Sequence, residues 1–382
     1  MNRRSPEIGS RAARTDGGDS VKTRILMLGP DLEAVSGVST HLNQLRASQL
    51  RHDFSLVHFQ IGSEGRQESK ARKALRLVAS PLFLAVRIVK DHADVVHINA
   101  SLDHGSFPRD AAYLVVAKAL RRKVVFQVHG GAMPKELYAA SAVGTHLVAH
   151  VLRSADAVVL LSNAELEAYS AFVPDARLQI IANAVDVDTN PESPGRSIFG
   201  PLRLAYVGRL VATKGVADCV AAAHLLNEAG RDFTLKIAGS GPEERALRNR
   251  AESLVKAGKV EFVGALHGEA KAKLWRESHI FVFPTFHLEG LPYSLLEAMA
   301  AGTVPVTTRM GAQPDVFEDG VQGVFVAPKD PQALFDAITV LDDDRELLLS
   351  MSQMATQRIH DRYTVQRLAA DFGDVYQSLE TR

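Results

Sequence analysis

The stretch IFVFPTFHLEGLPYSLLEAMAAGTVPVT, residues 280–307, decides how the chain folds. Ile280–Phe283 is a short apolar run of strand type, closed by Pro284. A loop follows, and Pro292 is placed for a first helical turn. Leu295, Leu296 and Met299 then repeat at helical spacing. Val304–Thr307 is a second apolar run. Two apolar strands joined by a helix indicate neighbours in a parallel sheet whose two faces are both covered. The same alternation extends in both directions. Upstream lie Leu202–Val207, Thr234–Ala238 and Val260–Val263, each separated by a helix-length segment. Further upstream, Arg24–Leu28, Phe54–Phe59, Val95–Ile98, Val124–Val128 and Ala157–Leu161 repeat the pattern. Between the two sets stands DTNPESPGRSIFG, residues 188–200, which reads as a linker. The expected architecture is α/β: two doubly wound, Rossmann-like domains over 21–190 and 200–360, with a cleft between them. Residues 1–20 read as a disordered tail. Residues 361–382 read as a closing helix.

Composition narrows the function. Lys plus Arg and Asp plus Glu both number 44 in 382 residues, so the chain lacks the basic excess of a general nucleic-acid binder. The single cysteine, Cys219, excludes an internal disulfide and any Cys-clustered metal site. Scarce cysteine fits a reducing, cytoplasmic setting. No apolar run is long enough to span a bilayer, and residues 1–20 carry no apolar core of a secretory signal. One segment stands out. KARKALRLVASPLFLAVRIVK, residues 70–90, flanks the apolar centre Leu77–Val86 with Lys and Arg. Such a pattern suits a helix lying on an anionic membrane surface; a core helix with snorkelling bases is the alternative.

In doubly wound sheets ligands bind at the carboxyl ends of strands, so the loops after the strands carry the functional reading. GRLVATKG, residues 208–215, offers Arg209 as a planar fork of donors and Lys214 as a compact charge, suited to converge on a diphosphate. GSGPEE, residues 239–244, is a Gly-rich turn into a helix but does not complete the dinucleotide fingerprint. In the opening stretch Glu289 falls in the loop and Glu297 in the helix. The free N–H groups near Gly290 to Tyr293 form a natural phosphate seat, and the Glu297 carboxylate suits two sugar hydroxyls.

The order GRL…KG, GSGP, FVG and EG…LLEAMAAG…PV resembles the second domain of retaining glycosyltransferases of GT-B architecture. It is most similar to glycosyltransferase family 4 (glycosyl transferases group 1). The resemblance runs from Leu202 to Pro328 and includes GAQPDVFEDG at 311–320. It implies that Arg209 and Lys214 hold the donor diphosphate and that Glu297 holds the nucleotide ribose. It places Glu289 against the transferred sugar, Gly290 and Leu291 as backbone donors, and Gly241 and Pro242 on the nucleotide side. In the first domain, SGVSTHLNQL resembles the family's glycine loop with Ser36 in place of the first glycine, so Gly37 alone carries over. His129, ending VVFQVHGG, resembles the family's strand-end histidine near the transferred sugar. His97 and Asn99 are expected on the acceptor side, with Arg109 toward an acceptor phosphate. IANAVD at 181–186 resembles the segment before the linker, with Ala184 where a glycine is usual. The closing helix is expected to cross back to the first domain, as in the family.

The implied function is transfer of a sugar, with retention, from a nucleoside-diphosphate sugar to a polyprenyl- or otherwise lipid-linked glycan acceptor. Polysaccharide or glycolipid synthesis at the inner membrane face is the implied setting. No metal and no other cofactor is expected, because cationic side chains and a helix N-terminus meet the charge that grows on the leaving diphosphate. The acidic run Asp342–Asp344 reads as helix capping. A sugar-nucleotide epimerase of the same architecture and a non-catalytic nucleotide-sugar-binding protein are the alternatives.

Overall fold

The computed structural model describes residues 22–63, 69–187, 197, 199–288 and 290–380. The expected tail, most of the linker 188–200 and the candidate Glu289 lie outside the described residues.

Among the described residues the chain forms two six-stranded sheets. The first holds β1 (Arg24–Gly29), β2 (Ser55–Gln60), β3 (Val95–Leu102), β4 (Lys123–Gly131), β5 (Ala157–Leu160) and β6 (Leu178–Ile180) in the order β2-β1-β3-β4-β5-β6. The second holds β7 (Leu202–Val207), β8 (Phe233–Ala238), β9 (Val260–Gly264), β10 (Ile280–Phe283), β11 (Val304–Thr308) and β12 (Val324–Val326). Their order is β12-β11-β10-β7-β8-β9. All these strand pairs run parallel, as the buried apolar runs require. β6 and β12 were not expected from the sequence. Each has three half-buried residues at a sheet edge, so no apolar run announces it. Strand order reverses between β1 and β3 in the first sheet and between β7 and β10 in the second. A crevice opens where successive crossovers diverge, so each domain presents one crevice at its strand ends.

The chain crosses between the domains twice, and the crossings lie side by side. Val185 N–H donates to the Tyr363 carbonyl at 2.8 Å, and Val185 and Thr364 form an isolated parallel bridge. Helix Arg345–Arg362 still belongs to the second domain, where Leu348, Met351, Ala355 and Ile359 enter the core. Asp344 caps its start by accepting from Leu347 N–H at 2.8 Å. Helix Val365–Glu380 then packs on the first domain. Leu368, Phe372, Val375, Tyr376 and Leu379 recur every three or four residues and join Ile25, Leu42, Leu45 and Phe54 in one cluster.

Helix Lys70–Lys90 accommodates an interior proline. Pro81 has no N–H for the Leu77 carbonyl. The Ser80 hydroxyl donates to that carbonyl at 3.0 Å instead, and itself accepts from the Tyr113 hydroxyl at 2.9 Å. Leu84 and Ile88 face inward and are fully buried.

Candidate active site

Both crevices face a single cavity of about 320 Å³ between the domains. Gly37, His129 and Asn183 line it from the first domain and its exit; Arg209, Lys214 and residues 290–294 line it from the second. The structure therefore brings Gly37, His129, Arg209, Lys214, Gly290 and Leu291 to one place, from four strand-end segments that are far apart in sequence.

The loop after β7 carries the positive charge. Gly215 adopts a left-handed conformation (φ 70°) and a Cβ there would sit 2.0 Å from the Pro284 carbonyl oxygen, so only glycine fits. The Thr213 carbonyl accepts from Phe286 N–H at 2.9 Å and from the Thr285 hydroxyl at 3.3 Å. These contacts tie the loop after β7 to the loop after β10. The Lys214 ammonium lies 5.7 Å from the Phe283 ring centroid. Arg209 is exposed at the mouth, and its carbonyl accepts from the Tyr206 hydroxyl at 3.0 Å. Helix Tyr293–Ala300 starts beside both, so its leading N–H groups add partial positive charge at the same wall.

His129 forms the opposite wall. Its Nε2 lies 2.8 Å from Asn99 Oδ1, while Asn99 Nδ2 donates to the Leu28 carbonyl at 2.9 Å. That chain makes Nε2 the protonated nitrogen and leaves a lone pair on Nδ1. Burial pushes the imidazole down to about 3, and the neighbouring His97 adds to the effect. His129 is therefore a neutral hydrogen-bond acceptor. His41 packs edge-on against it with centroids 4.9 Å apart, and both His41 nitrogens are buried without a hydrogen-bond partner. Burial also holds His41 well below its ordinary range.

The remaining candidates lie elsewhere. His97 is fully buried rather than set on a cleft wall. Its Nε2 pairs with Gln127 Oε1 at 3.0 Å and its Nδ1 with the Tyr376 hydroxyl at 2.7 Å. It fastens the last helix to β3, and burial lowers it to about 4. Asn99 acts through His129. Arg109 pairs with the buried Asp110 at 2.7 Å beside the edge strand β2, away from the cavity. Gly241 and Pro242 do not line the cavity; their loop packs on Leu210, whose N–H donates to the Ser240 carbonyl at 2.9 Å and whose carbonyl accepts from Glu243 N–H at 3.1 Å. Glu297 faces helix Gly268–Glu277: Lys271 Nζ lies 2.7 Å from Oε1 and Trp275 Nε1 donates to Oε2 at 3.3 Å.

Asn183 was missed. Its Nδ2 donates to the Leu291 carbonyl at 2.8 Å, while its Oδ1 is buried with no hydrogen-bond partner. An orphaned acceptor lining a cavity invites a ligand donor. The segment around it was visible in the sequence, but nothing there signalled that its side chain bridges the domains. Among the described residues no three His, Cys, Asp or Glu side chains gather as metal ligands.

Comparison with known proteins bears on this geometry. Residues 35–189 match the model for Glycosyltransferase Family 4, and residues 196–358 match Glycosyl transferases group 1. The chain has the GT-B fold, with a family 4 and a group 1 glycosyltransferase domain in that order. The structure of HepE of Anabaena in complex with UDP-glucose is similar to this one with a TM-score of 0.71 and 16% identity. The match covers 93% of this chain and 99% of that one. Glycogen synthase of Mycobacterium tuberculosis is 34% identical over 202 residues, 53% of this chain and 48% of that protein. Phosphatidyl-myo-inositol mannosyltransferase of Mycolicibacterium smegmatis is 29% identical over 208 residues, 52% of this chain and 51% of that protein. The chain thus spans about half the length of these curated relatives.

Proposed function

We propose that the chain is a retaining glycosyltransferase acting on a nucleoside-diphosphate sugar and a lipid-borne glycan acceptor, in polysaccharide or glycolipid synthesis. The observation that carries this reading is the meeting of Arg209, Lys214 and a helix N-terminus on one wall of a cavity whose other wall is a neutral histidine. Two cations and aligned N–H groups stabilise the charge that develops when the sugar C1–O bond to the diphosphate breaks. No metal is needed for that task in this reading. The His129 Nδ1 lone pair accepts a hydroxyl of the transferred sugar, and Asn183 Oδ1 accepts a donor from the ligand. The acceptor oxygen forms its bond to C1 on the face the diphosphate leaves, and its proton passes to the departing phosphate oxygen. Glu289 is assigned to orient the sugar and stabilise its cationic character, and Glu297 to hold the ribose. UDP-glucose in HepE and the phosphoinositide named for the mannosyltransferase support the two substrate classes.

The acceptor reading places the protein on a membrane. No helix among the described residues is long and apolar enough to cross one. Helix Lys70–Lys90 instead leaves Leu75, Val78, Leu82, Val86 and Val89 more than half exposed. These five fall on one stripe, roughly 160° round the helix from the buried Ser80, Leu84 and Ile88 at about 100° per residue. Such a stripe, flanked by bases, suits the headgroup boundary of an anionic leaflet at the cytoplasmic face.

A thermal-shift panel of UDP, GDP and ADP tests the reading on wild type and on Arg209→Ala/Lys214→Ala. A nucleotide at about 100 times its Kd adds roughly 2.7 kcal/mol of stability. Stabilisation by one nucleotide, lost in the double variant, is expected. Equal shifts in both proteins would remove the diphosphate assignment. Incubation of the stabilising nucleotide's sugar conjugate with acceptor, followed by NMR of the anomeric proton, then reads retention directly.

A further inference from the structure

His41 is a buried polar residue to which the proposed reaction gives no part. It lies on helix Gly37–Ala47 and is fully buried. Among the described residues neither of its ring nitrogens has a hydrogen-bond partner. Leaving such a group unpaired is costly, and a phenylalanine would fill similar space without that cost. An imidazole here therefore calls for a role besides packing.

The neighbours of His41 show where that role lies. Its ring packs against His129, with centroids 4.9 Å apart, and against Phe372 of the last helix at 5.6 Å. The Gln127 side chain also acts on it. Gln127 Oε1 accepts from His97 Nε2 at 3.0 Å, and His97 Nδ1 accepts from the Tyr376 hydroxyl at 2.7 Å. That chain turns the Gln127 amide nitrogen away from His97, and this nitrogen too is buried without a partner among the described residues. Burial keeps His41 neutral, so one of its nitrogens offers a lone pair. An unpaired donor and an unpaired acceptor thus belong to neighbouring side chains.

The same helix meets the second domain. Gly37, His41 and Gln44 fall within roughly 60° of one another at about 100° per residue. A Cβ on Gly37 would lie 3.4 Å from the Tyr293 ring, and the Tyr293 hydroxyl donates to Gln44 Oε1 at 3.2 Å. Tyr293 opens the helix whose N-terminus lines the cavity. The face of helix Gly37–Ala47 that carries His41 is therefore the face on which the second domain rests.

We infer that His41 is a positioning residue for His129. Its ring backs the His129 imidazole, and the Gln127 amide nitrogen donates to its lone pair when the second domain seats helix Gly37–Ala47. The His129 ring is then held with Nδ1 toward the transferred sugar. His41 touches no substrate and acts through His129, as Asn99 does. The inference rests on the role proposed above for His129 and names what holds that residue in place. Because the nucleotide is held by the wall of the second domain, His41 governs turnover and leaves donor affinity alone.

His41→Phe tests this, since it keeps a ring of similar size and removes both nitrogens. Its Tm should equal or exceed that of wild type. The thermal shift with whichever of UDP, GDP and ADP stabilises wild type should persist, and the KM for that nucleotide's sugar conjugate should stay within twofold. The kcat should fall at least tenfold. By NMR, exchange of the His129 Nε2 proton with water should quicken at least tenfold although the fold is no less stable. A residue that only fills space would move neither reading, so a kcat within twofold of wild type, or unchanged exchange, overturns the inference. His41→Leu should behave in the same way, and it decides the matter if His41→Phe does not fold. Leu45→Val, in the core side of the same helix, should lower Tm and leave kcat within twofold; a parallel loss of kcat there would show general loosening and overturn the assignment. Unchanged kcat in His129→Ala, or no nucleotide shift in wild type, fails the reading beneath; a large loss in His129→Ala with none in His41→Phe fails His41 alone.

Discussion

Glu165 gives a quantitative test of how burial governs charge near the domain boundary. It stands in a Ser-x-x-Glu capping box at the start of helix Asn163–Phe172. Glu165 N–H donates to the Ser162 hydroxyl at 3.2 Å, and its carboxylate accepts from Leu161 N–H at 2.7 Å. The residue is 7% exposed. Burial raises its carboxyl from 4.5 to about 7, and Asp315 of the second domain adds to the rise against the two backbone hydrogen bonds. A carboxyl raised in the folded state releases its proton more readily on unfolding. Stability is therefore lost as pH rises through 4.5 toward 7. A rise from 4.5 to about 7 corresponds to about 3 kcal/mol between pH 4.5 and pH 8. Glu165→Gln keeps an oxygen for Leu161 N–H and removes the titration. Urea unfolding of both proteins at the two pH values isolates the effect, because titrating groups that do not interact with Glu165 cancel in the difference. The variant should gain about 3 kcal/mol on wild type as pH rises over that interval. A difference constant to about 0.5 kcal/mol would show an ordinary, solvated carboxylate and refute the burial argument.

Three further outcomes are expected. Gly215→Ala should cost more than the ~1–2 kcal/mol of a left-handed alanine, because its Cβ meets the Pro284 carbonyl, and should erase the nucleotide-induced thermal shift. Gly230→Ala, also at φ 70° but with open space around it, is the control and should keep that shift; equal behaviour of the two would sink the steric argument. Lys271→Met removes the cationic partner of a mostly buried Glu297 carboxylate and should lower stability by about 1–3 kcal/mol. It should also raise the KM for donor with little change in kcat; a fall in kcat alone would detach Glu297 from ground-state donor binding. Nitrogen-detected NMR of His129 should show a neutral ring protonated at Nε2 down to pH 5. Since burial depresses this group, acid costs stability only below its unfolded value near 6.5; a titration midpoint near 6.5 in the folded protein would contradict the enclosed geometry.

The parallel sheets and the loops of the second domain were legible because each strand ends in a short, punctuated motif. Gly208, Gly215, Pro284 and Pro292 mark turns by their own conformational limits, and Arg209 and Lys214 sit inside those turns. His97 shows why such reading stops short. Its place at the end of a strand suggested a cleft wall. In the sheet it pairs with Met27 and Val125, on the face that the last helix covers. Whether that face meets water is decided by Phe372 and Tyr376, hundreds of residues later. The same holds for Glu297, whose partners Lys271 and Trp275 lie on a different helix, and for Asn183, whose role depends on where the chain crosses between domains.

The close approach of the domains explains one more residue and constrains the motion that catalysis requires. A Cβ on Gly290 would lie 3.0 Å from the His129 carbonyl oxygen and 3.1 Å from Leu161, so a side chain there would crowd the first domain. Around this contact, Tyr293 donates to Gln44 at 3.2 Å, and Asn163 N–H donates to Asp315 at 2.6 Å. These bonds join the two domains near the cavity, so separating the domains would break them. An opening of the domains would pivot about the paired crossings at Val185 and Thr364, which lie side by side. The donor wall itself stays intact, since the hydrogen bonds from Thr213 to the loop after β10 lie wholly within the second domain. Such an opening would separate His129 from Lys214 without disturbing the contacts that hold the loop after β7. On the proposed reading, nucleotide is expected to bind the open form, with His129 meeting the sugar only on closure; a thermal shift by nucleotide that vanished in His129→Ala would contradict that order.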